Sequence, residues 1–433
     1  MATANTIRLD ASQHPLYYVP GIENEATKVT SDLLNKNHQQ HHIFFNNAGF
    51  HNHIVHHLLT VWALKAESSE ITGHYNNNQG YQRQLPPVKR ENVLEMADPE
   101  KFAGFLGNKR HYEDFLEFFK QEISESSWQE VLLKYVFARD ARADDMLVRL
   151  FAGFLHPIIH LGFGIEFEQP AIIAEALAQA AVHDNWMRLL LLPAEQEAAK
   201  RDQTDSIASL IGRMQADPVI KSAARYSDGN KLRDGVIARA SSRMVDYAAQ
   251  VSTEVDNLER ATAEMINAAA WYTGGAQRVD KQVKFDFYYI HCVNSSIFFS
   301  SFLKADWLSS EDKTRILDWK IRTDMAMYVS RGTPPIRMDI VREYKPKRPS
   351  GWEGIIERVC QFEDDGHTCK LVRALAHGQN VCKPYQTREE FKVKQDDWLQ
   401  LGHMAIDSVE ASGPNWVRDV GFDEAWEQIG TRL

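Results

Sequence analysis

The sequence predicts a mostly α-helical protein, and three observations support that fold class. Apolar residues recur at helical spacing from about Ala26 onward. Alternating strand-like runs are sparse, and we find no internal repeat at the period of a solenoid. The 433 residues can bury a sizeable core, so we predict an N-terminal arm over residues 1–24 and one large multi-helix domain over residues 25–433.

The composition is that of an ordinary globular protein and excludes several functions. Hydrophobic residues make up 44% of the chain and charged residues 25%, and a net charge of -10 without a basic stripe argues against nucleic-acid binding. The four cysteines match neither a disulfide framework nor a CxxC motif. No leader-like or membrane-spanning apolar segment is visible, so we expect a soluble, cytoplasmic protein with reduced thiols.

Three segments depart from a simple succession of amphipathic helices. Residues 70–93 carry turn-forming residues without an apolar period, which predicts a long loop of the kind that often covers an active site. Residues 282–303 are the most apolar stretch and predict a central buried helix. Residues 331–351 combine Gly332 with several prolines and basic residues, and predict a surface loop.

Histidines are concentrated in one apolar segment, where four of the 17 lie between His51 and His57. In a continuous helix, His53 and His57 would stand at i and i+4 on one face. Imidazole is the commonest protein ligand for transition metals. This spacing therefore gives the hypothesis of half a metal site, completed by ligands from elsewhere in the chain.

Further candidate ligands lie in other apolar segments. His156 precedes Pro157, which disfavours helix at His156 and predicts that this residue lies at a helix start or kink. His160 and His291 also lie in apolar surroundings, and His367 and Lys370 are at i and i+3 after a possible helix cap. A hydrogen-bonded core histidine explains any one of them, but a shared cation would satisfy several together.

Competing chemistries have weaker signals. Gly162-Phe163-Gly164 lacks the third glycine and the βαβ context of a dinucleotide fingerprint, so no nucleotide or flavin site is visible. No GxSxG elbow and no P-loop are present in the sequence. Ser295 and Ser296 lie near His291, but helix packing explains them better than a nucleophile and base.

The sequence resembles the questin oxidase-like family over about residues 45–375. The resemblance is carried by Phe50-His51-Asn52-His53 with His57-Leu58-Leu59, Leu155-His156-Pro157 with His160-Leu161-Gly162, Phe287-Tyr288-Tyr289-Ile290-His291, and Asp365-Gly366-His367 with Lys370. It implies oxidative cleavage of an anthraquinone-type aromatic polyketide with dioxygen. Members have been described as Baeyer–Villiger-type oxidases that use NADPH, and more recently as carrying a mononuclear non-haem iron.

The resemblance also implies the ligands of that iron, which are four histidines and a carboxylated lysine. On this chain they are His53, His156, His291, His367 and Lys370. A lysine can ligate only as a neutral or derivatised amine, and burial beside a metal would favour the neutral amine. A solvent-exposed helical lysine remains the alternative for Lys370.

Other residues would then serve the reaction around the metal. His57 and His160 are predicted catalytic groups that support the ligands or face the substrate, although either could replace a ligand. Flat substrates stack on rings, which makes five aromatic residues candidate pocket walls. They are Trp62, Phe163, Phe167, Tyr288 and Tyr289.

Two other functions stay open at this point. One is a metal-independent monooxygenase that uses NADPH, and the other is a helical interaction scaffold whose histidines only pack. If NADPH is consumed, it could reduce the quinone directly, which fits the missing dinucleotide fingerprint.

Overall fold

The computed structural model describes residues 1–201 and 205–432, and it confirms a mostly α-helical fold. The chain divides into two compact units. Unit 1 comprises Met1–Asn185 with Cys360–Lys370, and unit 2 comprises Trp186–Val359 with Leu371–Leu433. The division falls inside two helices of the C-terminal third.

The helices of the first 185 residues are α1 (Asn24–Gln40), α2 (Ile54–Ala63), α3 (Ser68–Gln79), α4 (Arg90–Met96), α5 (Pro99–Phe105), α6 (Tyr112–Glu125), α7 (Trp128–Leu132), α8 (Ala141–Leu150), α9 (His156–Glu166) and α10 (Pro170–Val182). Short 3₁₀ turns lie at Lys109–His111 and Gly153–Leu155, and a π-helical turn at Leu133–Phe137.

The later helices are α11 (Arg188–Ala198), α12 (Ile207–Ala216), α13 (Pro218–Lys221), α14 (Ala238–Ala248), α15 (Leu258–Gly275), α16 (Tyr289–Ser296), α17 (Phe299–Lys304), α18 (Ser310–Ser330), α19 (Met338–Glu343), α20 (Trp352–Gln361), α21 (His367–Cys382) and α22 (Asp397–Glu410). Strands β1 (Phe285–Asp286) and β2 (Trp416–Val417) pair in parallel. A π-helical turn lies at Lys231–Ile237, and 3₁₀ turns at Val255–Asn257, Lys383–Tyr385 and Asp423–Trp426.

The core of unit 1 is built around helices that are apolar on nearly every side. Every residue of α2 is buried, and α2 packs against α1, α3 and α9. In α10 only Pro170 is not fully buried, and this helix packs against α6 and α9. A helix without a polar face must be enclosed by others, so α2 and α10 carry their few polar side chains into the interior.

The segment before α1 lies along unit 1. The backbone N–H of Leu16 donates to Glu166 at 2.7 Å, and that of Arg8 donates to Gln169 at 2.9 Å. The N–H of Val19 donates to the carbonyl of Ala63 at the end of α2. These bonds tie a segment without helix to the ends of α2 and α9.

The loop predicted over residues 70–93 is wrong for most of its length. Helix α3 covers its first part and α4 its last part, which leaves residues 80–89 as the connection. The buried side of α3 consists of Ile71, His74, Tyr75 and Asn78, at helical spacing. Two of these four residues are polar, so a search for apolar periodicity misses the helix.

The single buried helix predicted over residues 282–303 is also wrong, although the stretch is buried. It forms β1, α16 and α17 instead. The carboxylate of Asp286 accepts N–H bonds from Tyr288 and Tyr289 at 2.8 and 3.0 Å, and from Asp419 and Val420 at 2.8 and 2.9 Å. This buried carboxylate therefore binds four backbone N–H groups. Because two of them belong to Tyr288 and Tyr289, the strand ends at Asp286 and α16 begins directly after it.

The segment 331–351, predicted as a surface loop, contains the short helix α19. Met338, Ile340 and Val341 are buried on it. Among the described residues, no single helix is long and apolar enough to cross a membrane, and one bent pair, Ala141–Leu150 with Gly153–Glu166, meets the length and composition test only together.

An aromatic cluster beneath α5 and α6 gives a test of the packing in unit 1. Phe102 is fully buried and its ring contacts those of Phe115, Phe118 and Tyr135 at centroid distances of 5.4–5.7 Å. Truncation in Phe102→Ala leaves a cavity, and we expect the free energy of unfolding to fall by about 3–5 kcal/mol. Urea denaturation measures it. Leu94→Ala, at a side chain that is 76% exposed, should change it by less than about 0.5 kcal/mol.

Candidate metal centre

His53 lies immediately before α2 and not within it. His51 is bridged to Phe44, and the backbone N–H of Ile54 is capped by the Asn52 side chain at 3.0 Å. His53 is the N-cap of α2, with φ −98° and ψ 2°, and its carbonyl accepts from the N–H of His57 at 2.8 Å. The i, i+4 relation is therefore present at the start of α2, and chelation of one ion by both rings stays a prediction.

His156 is the first residue of α9, which confirms the helix start predicted from Pro157. The preceding 3₁₀ turn bends the chain sharply, with Phe154 and Leu155 at φ 54° and 69° in the left-handed region. Nδ1 of His156 lies 2.6 Å from the carbonyl oxygen of Gly153. Since a carbonyl only accepts, Nδ1 carries the proton and Nε2 carries the lone pair.

His367 starts α21 after a tight turn. The carboxylate of Asp364 caps this turn by accepting from the N–H of Gly366 at 2.6 Å and of Thr368 at 2.9 Å. Gly366 has φ +86°, and a Cβ at this position would lie 2.7 Å from Cβ of His57. Only glycine allows both the left-handed backbone and this close approach to α2.

The structure brings His53, His156 and His367 together as a buried group that could hold a metal ion. One ring nitrogen from each lies within 4.8 Å of the others. Nε2 of His53 and Nε2 of His156 are 2.8 Å apart. Two nitrogens bound at a right angle to one ion, each at about 2.1 Å, would be separated by about 3 Å. The separation of these two rings therefore matches shared coordination.

Asp365 orients two of the three imidazoles. Its carboxylate lies 3.0 Å from Nδ1 of His53 and 2.5 Å from Nδ1 of His367. A carboxylate accepts hydrogen bonds, so each ring donates from Nδ1 and presents its Nε2 lone pair elsewhere. A carboxylate or carbonyl behind a ligand histidine is the arrangement that fixes ring and tautomer in metal sites.

Electrostatics keep this group in the form that a metal needs. Burial, and then the charge of Lys370, lowers the pKa of His53 to about 3, so its ring is neutral at pH 7. Burial by itself would raise the pKa of Asp365, but His367 and the hydrogen bonds from both rings hold it well below its ordinary value. A neutral imidazole backed by an anion is a good donor for a cation.

Lys370 lies on the same face of α21, one turn after His367. Its side chain is 4% exposed, and Nζ has no hydrogen-bond partner among the described residues. Burial lowers its pKa. A buried ammonium without a partner is costly, so this position favours a neutral or derivatised amine. The exposed-helix alternative for Lys370 is wrong.

His160, predicted as a catalytic group, belongs to a chain of hydrogen bonds between buried side chains. Its Nε2 lies 2.7 Å from Glu175, whose other oxygen lies 2.6 Å from Nδ1 of His38. Its Nδ1 lies 3.1 Å from Nε2 of His56, and the His56 ring lies 5.7 Å from that of His53. His160 is thus linked to the metal-ligand group through His56. Its catalytic role stays a prediction.

His57, the other predicted catalytic group, is buried on α2. Neither ring nitrogen has a hydrogen-bond partner among the described residues, and the ring packs on that of His74 at 4.3 Å. Burial, and then the charge of His74, lowers its pKa well below the ordinary value. A neutral ring with unsatisfied nitrogens beside Gly366 is available to a bound molecule, and its role stays a prediction.

Four of the five predicted aromatic walls are buried, and the fifth, Tyr288, is half-buried. In unit 1 the indole N–H of Trp62 donates to Thr27 at 3.0 Å, and Phe163 stacks between Phe167 and His56 at 6.0 and 5.1 Å. In unit 2 the hydroxyl of Tyr289 donates to the carbonyl of Tyr328 at 2.8 Å, and the ring of Tyr288 lies 3.8 Å from the Arg331 guanidinium. Whether they contact a substrate stays a prediction.

His291 is buried in unit 2, on α16. Its Nδ1 donates to the carbonyl of Phe287 at 2.6 Å, so its Nε2 carries the lone pair. This is the same tautomer as in the other three predicted ligands. Its place in the ligand set stays a prediction.

Sequence reasoning missed the two carboxylates that organise the histidines. Asp365 stands two residues before His367 in a motif that carries the family resemblance, but the sequence predicted no contact between its carboxylate and the histidines. Glu175 is the one charged residue in the otherwise apolar α10, and a lone carboxylate in such a run is itself a signal, because it needs a buried partner.

The fold and the site define a class of protein: a helical protein with buried histidines that could hold a metal ion. Its family is shown by comparison with known proteins. The chain belongs to the questin oxidase-like family, whose model matches residues 50–375. The family resemblance predicted from the sequence is thereby confirmed.

Relatives match over nearly the whole chain. A Baeyer-Villiger monooxygenase of Cryptosporiopsis sp. is 38% identical over 98% of each chain. A protein named questin oxidase from Aspergillus terreus is 34% identical over 99% of this chain and 98% of its own. An oxidoreductase of Aspergillus parasiticus is 38% identical over 96% of this chain and 86% of its own. The protein is therefore an oxidoreductase of the oxidase or oxygenase kind.

The buried histidines make stability depend on pH. Burial, then Lys109 and Arg149, lowers the pKa of His183 to about 3, against 6.5 for a free imidazole. Between these two pH values, His183 binds a proton in the unfolded chain but not in the folded chain. We expect the free energy of unfolding to fall as the pH drops below about 6.5, by up to about 1.4 kcal/mol per pH unit from this residue, until the pH approaches about 3.

Urea denaturation between about pH 6.5 and about pH 4.5, with a chelator present, measures this dependence. His183→Asn should have a shallower slope than the wild type by about 1.4 kcal/mol per pH unit. His14→Asn, at an exposed histidine, should keep the wild-type slope. Carboxylates contribute equally to both variants, so equal slopes would contradict the prediction.

Proposed function

We propose that the chain is an oxygenase that cleaves a ring of an anthraquinone-type aromatic polyketide, with ferrous iron as its cofactor and dioxygen as its co-substrate. The convergence of His53, His156 and His367 carries this proposal. His291 and Lys370 complete the proposed ligand set. The family and the oxidase and monooxygenase names of relatives support the reaction class.

The residues present fit such an ion. The three clustered rings are buried, and hydrogen bonds at Nδ1 of each leave Nε2 as the donor atom. Imidazole suits iron, and a site for oxygen chemistry usually adds an anionic oxygen ligand. When bound, ferrous iron would supply the one-electron chemistry that lets dioxygen react with a closed-shell aromatic ring.

Lys370 would supply the anionic oxygen. Its neutral amine adds carbon dioxide, forming an N–C bond and releasing one proton, and the product is a carbamate with two oxygen donors. Burial of Nζ without a hydrogen-bond partner among the described residues supports this, because it lowers the pKa of Lys370 and so favours the neutral, nucleophilic amine. The charge of the carbamate would then be balanced by the cation.

The surrounding residues position the ligands and keep out water. Asp365 holds His53 and His367, and the carbonyl of Gly153 holds His156. Removing water strengthens each of these interactions and protects a reactive species from side reactions. We propose that His57 faces the substrate, and that His160 holds His56 in the tautomer whose Nε2 donates to it.

A second candidate is a metal-independent monooxygenase that uses NADPH. The printed names of several relatives, Baeyer-Villiger oxidase or monooxygenase, favour it. Such an enzyme would bind NADPH saturably and keep its turnover in the presence of a chelator. An iron-dependent oxygenase would lose turnover on chelation and regain it with ferrous iron.

Metal analysis of ligand variants is the decisive experiment. Protein purified without oxygen should contain about one iron per chain. His156→Ala and Lys370→Ala should lose most of that iron and at least about 100-fold in turnover, because each removes a proposed ligand. His14→Ala and Lys28→Ala, at exposed positions, should keep both. Full activity in metal-free protein would rule out the proposed cofactor.

Chemical rescue tests the carbamate. Lys370→Ala leaves space at the end of the removed side chain, so acetate or propionate should enter it and restore part of the iron content. His156→Ala, which lacks a nitrogen donor, should respond to imidazole and not to carboxylates. If Lys370→Ala binds iron fully without any added acid, Lys370 is not a ligand.

A further inference from the structure

Unit 2 contains a cavity lined by cationic side chains. None of the residues proposed for the metal site or the substrate lines it. Its volume is about 400 Å³, which is within the range of small-molecule sites. The lining residues come from the chain before β1, from the end of α19 and the segment after it, from the end of α22, and from Arg432.

The charges around this cavity are unbalanced. Lys345, Lys347 and Arg432 line it, and among the described residues none of the three has a carboxylate within ion-pair distance. Of the two carboxylates in the lining, Asp407 is paired with Arg358 at 2.6 Å. Only Glu343 remains to offset three cations, in a chain whose net charge is -10.

The neighbouring basic residues show that partners are the rule in this segment. Arg342 pairs with Asp397 at 3.1 Å, and Arg348 pairs with Glu410 at 2.7 Å. Lys345 and Lys347 lie between these two arginines in the sequence and are left without carboxylates. The two lysines of this segment that lack a carboxylate among the described residues are thus the ones that line the cavity, and the ammonium of Lys347 donates only to the backbone carbonyl of Asp407, at 3.4 Å.

A further lysine lies beneath the cavity. Lys284 is fully buried, and its ammonium donates to the carbonyl of Ser408, which is a lining residue. Burial, and then the charge of Lys347, lowers its pKa to about 8. An anion in the cavity would offset the repulsion between these two lysines.

We propose that this cavity binds a nucleotide-sized anion that carries a diphosphate group. Lysine and arginine are the side chains that bind phosphate oxygens, and three of them line this cavity with no carboxylate at ion-pair distance among the described residues. The volume exceeds what inorganic phosphate needs and admits a nucleoside diphosphate. The diphosphate could belong to a free nucleotide such as ADP or to a dinucleotide such as NADPH. This proposal does not rest on the metal site, whose ligands it does not share.

Calorimetric titration of the full-length protein, in buffer without divalent cations, tests it. ADP and NADPH should bind with dissociation constants below about 1 mM, and the tighter of the two identifies the source of the diphosphate. Adenosine, which lacks the phosphates, should bind at least about tenfold more weakly than ADP. Affinity for ADP should fall as the ionic strength rises, because exposed charges are screened.

Variants locate the binding. Lys345→Ala should weaken ADP binding about five- to tenfold, and Lys345→Ala with Arg432→Ala by more than about fiftyfold. Lys221→Ala, at an exposed lysine of the same unit outside the cavity, should bind ADP like the wild type. These are surface positions, and an unchanged melting temperature will show that the variants are folded.

Three outcomes would overturn the proposal. They are no binding of either nucleotide at millimolar concentration, equal affinities for ADP and adenosine, and wild-type ADP affinity in the double variant. The iron content of the double variant should match that of the wild type, which separates a failure here from a failure of the proposed metal site.

Discussion

The candidate metal centre depends on one half-buried carboxylate, that of Asp365, which lies against the buried rings. It accepts from Nδ1 of His53 and from Nδ1 of His367, two residues that come from segments more than 300 positions apart. These bonds fix the tautomer of both rings with the proton on Nδ1. They also orient the rings so that each Nε2 lone pair points away from the carboxylate. Hydrogen bonds to a carboxylate are stronger than bonds between neutral groups, and both donor rings are buried, so each would lack a partner without it. The position of His367 relative to α2 therefore follows from this carboxylate together with Gly366.

A second carboxylate applies the same principle to a different set of histidines. Glu175 lies in the apolar α10 and engages His38 and His160, each through one oxygen. Burial would raise its pKa, but the two imidazoles lower it to about 2, so it stays charged. In unit 1, the buried Glu175 and the half-buried Asp365 therefore each bind two imidazoles. Only the set around Asp365 includes rings whose donor nitrogens converge on one point.

Much of the fold could be predicted, and the failures have physical causes. Helix α9 begins at His156 because Pro157 can occupy only the first turn of a helix, and His367 and Lys370 share a turn because they are three residues apart on α21. Helix α3 was missed because its buried side contains His74 and Asn78. The stretch 282–303 is broken because Asp286 binds backbone donors at the start of α16 and others beyond β2, and no local pattern reveals the second contact.

The sequence by itself determined the chemistry that is available: a set of imidazoles in apolar surroundings, a lysine one turn after a histidine, and Gly366 at the turn before it. Only the tertiary structure decided which of them meet. It joined His53 to His156 and His367, placed His57 and His160 in different surroundings, and left Lys370 buried without a hydrogen-bond partner in the described part of the chain. Sequence spacing constrains neighbours within about one turn of helix, whereas convergence across 100 to 300 residues is set by helix packing and by the hydrogen bonds of buried carboxylates.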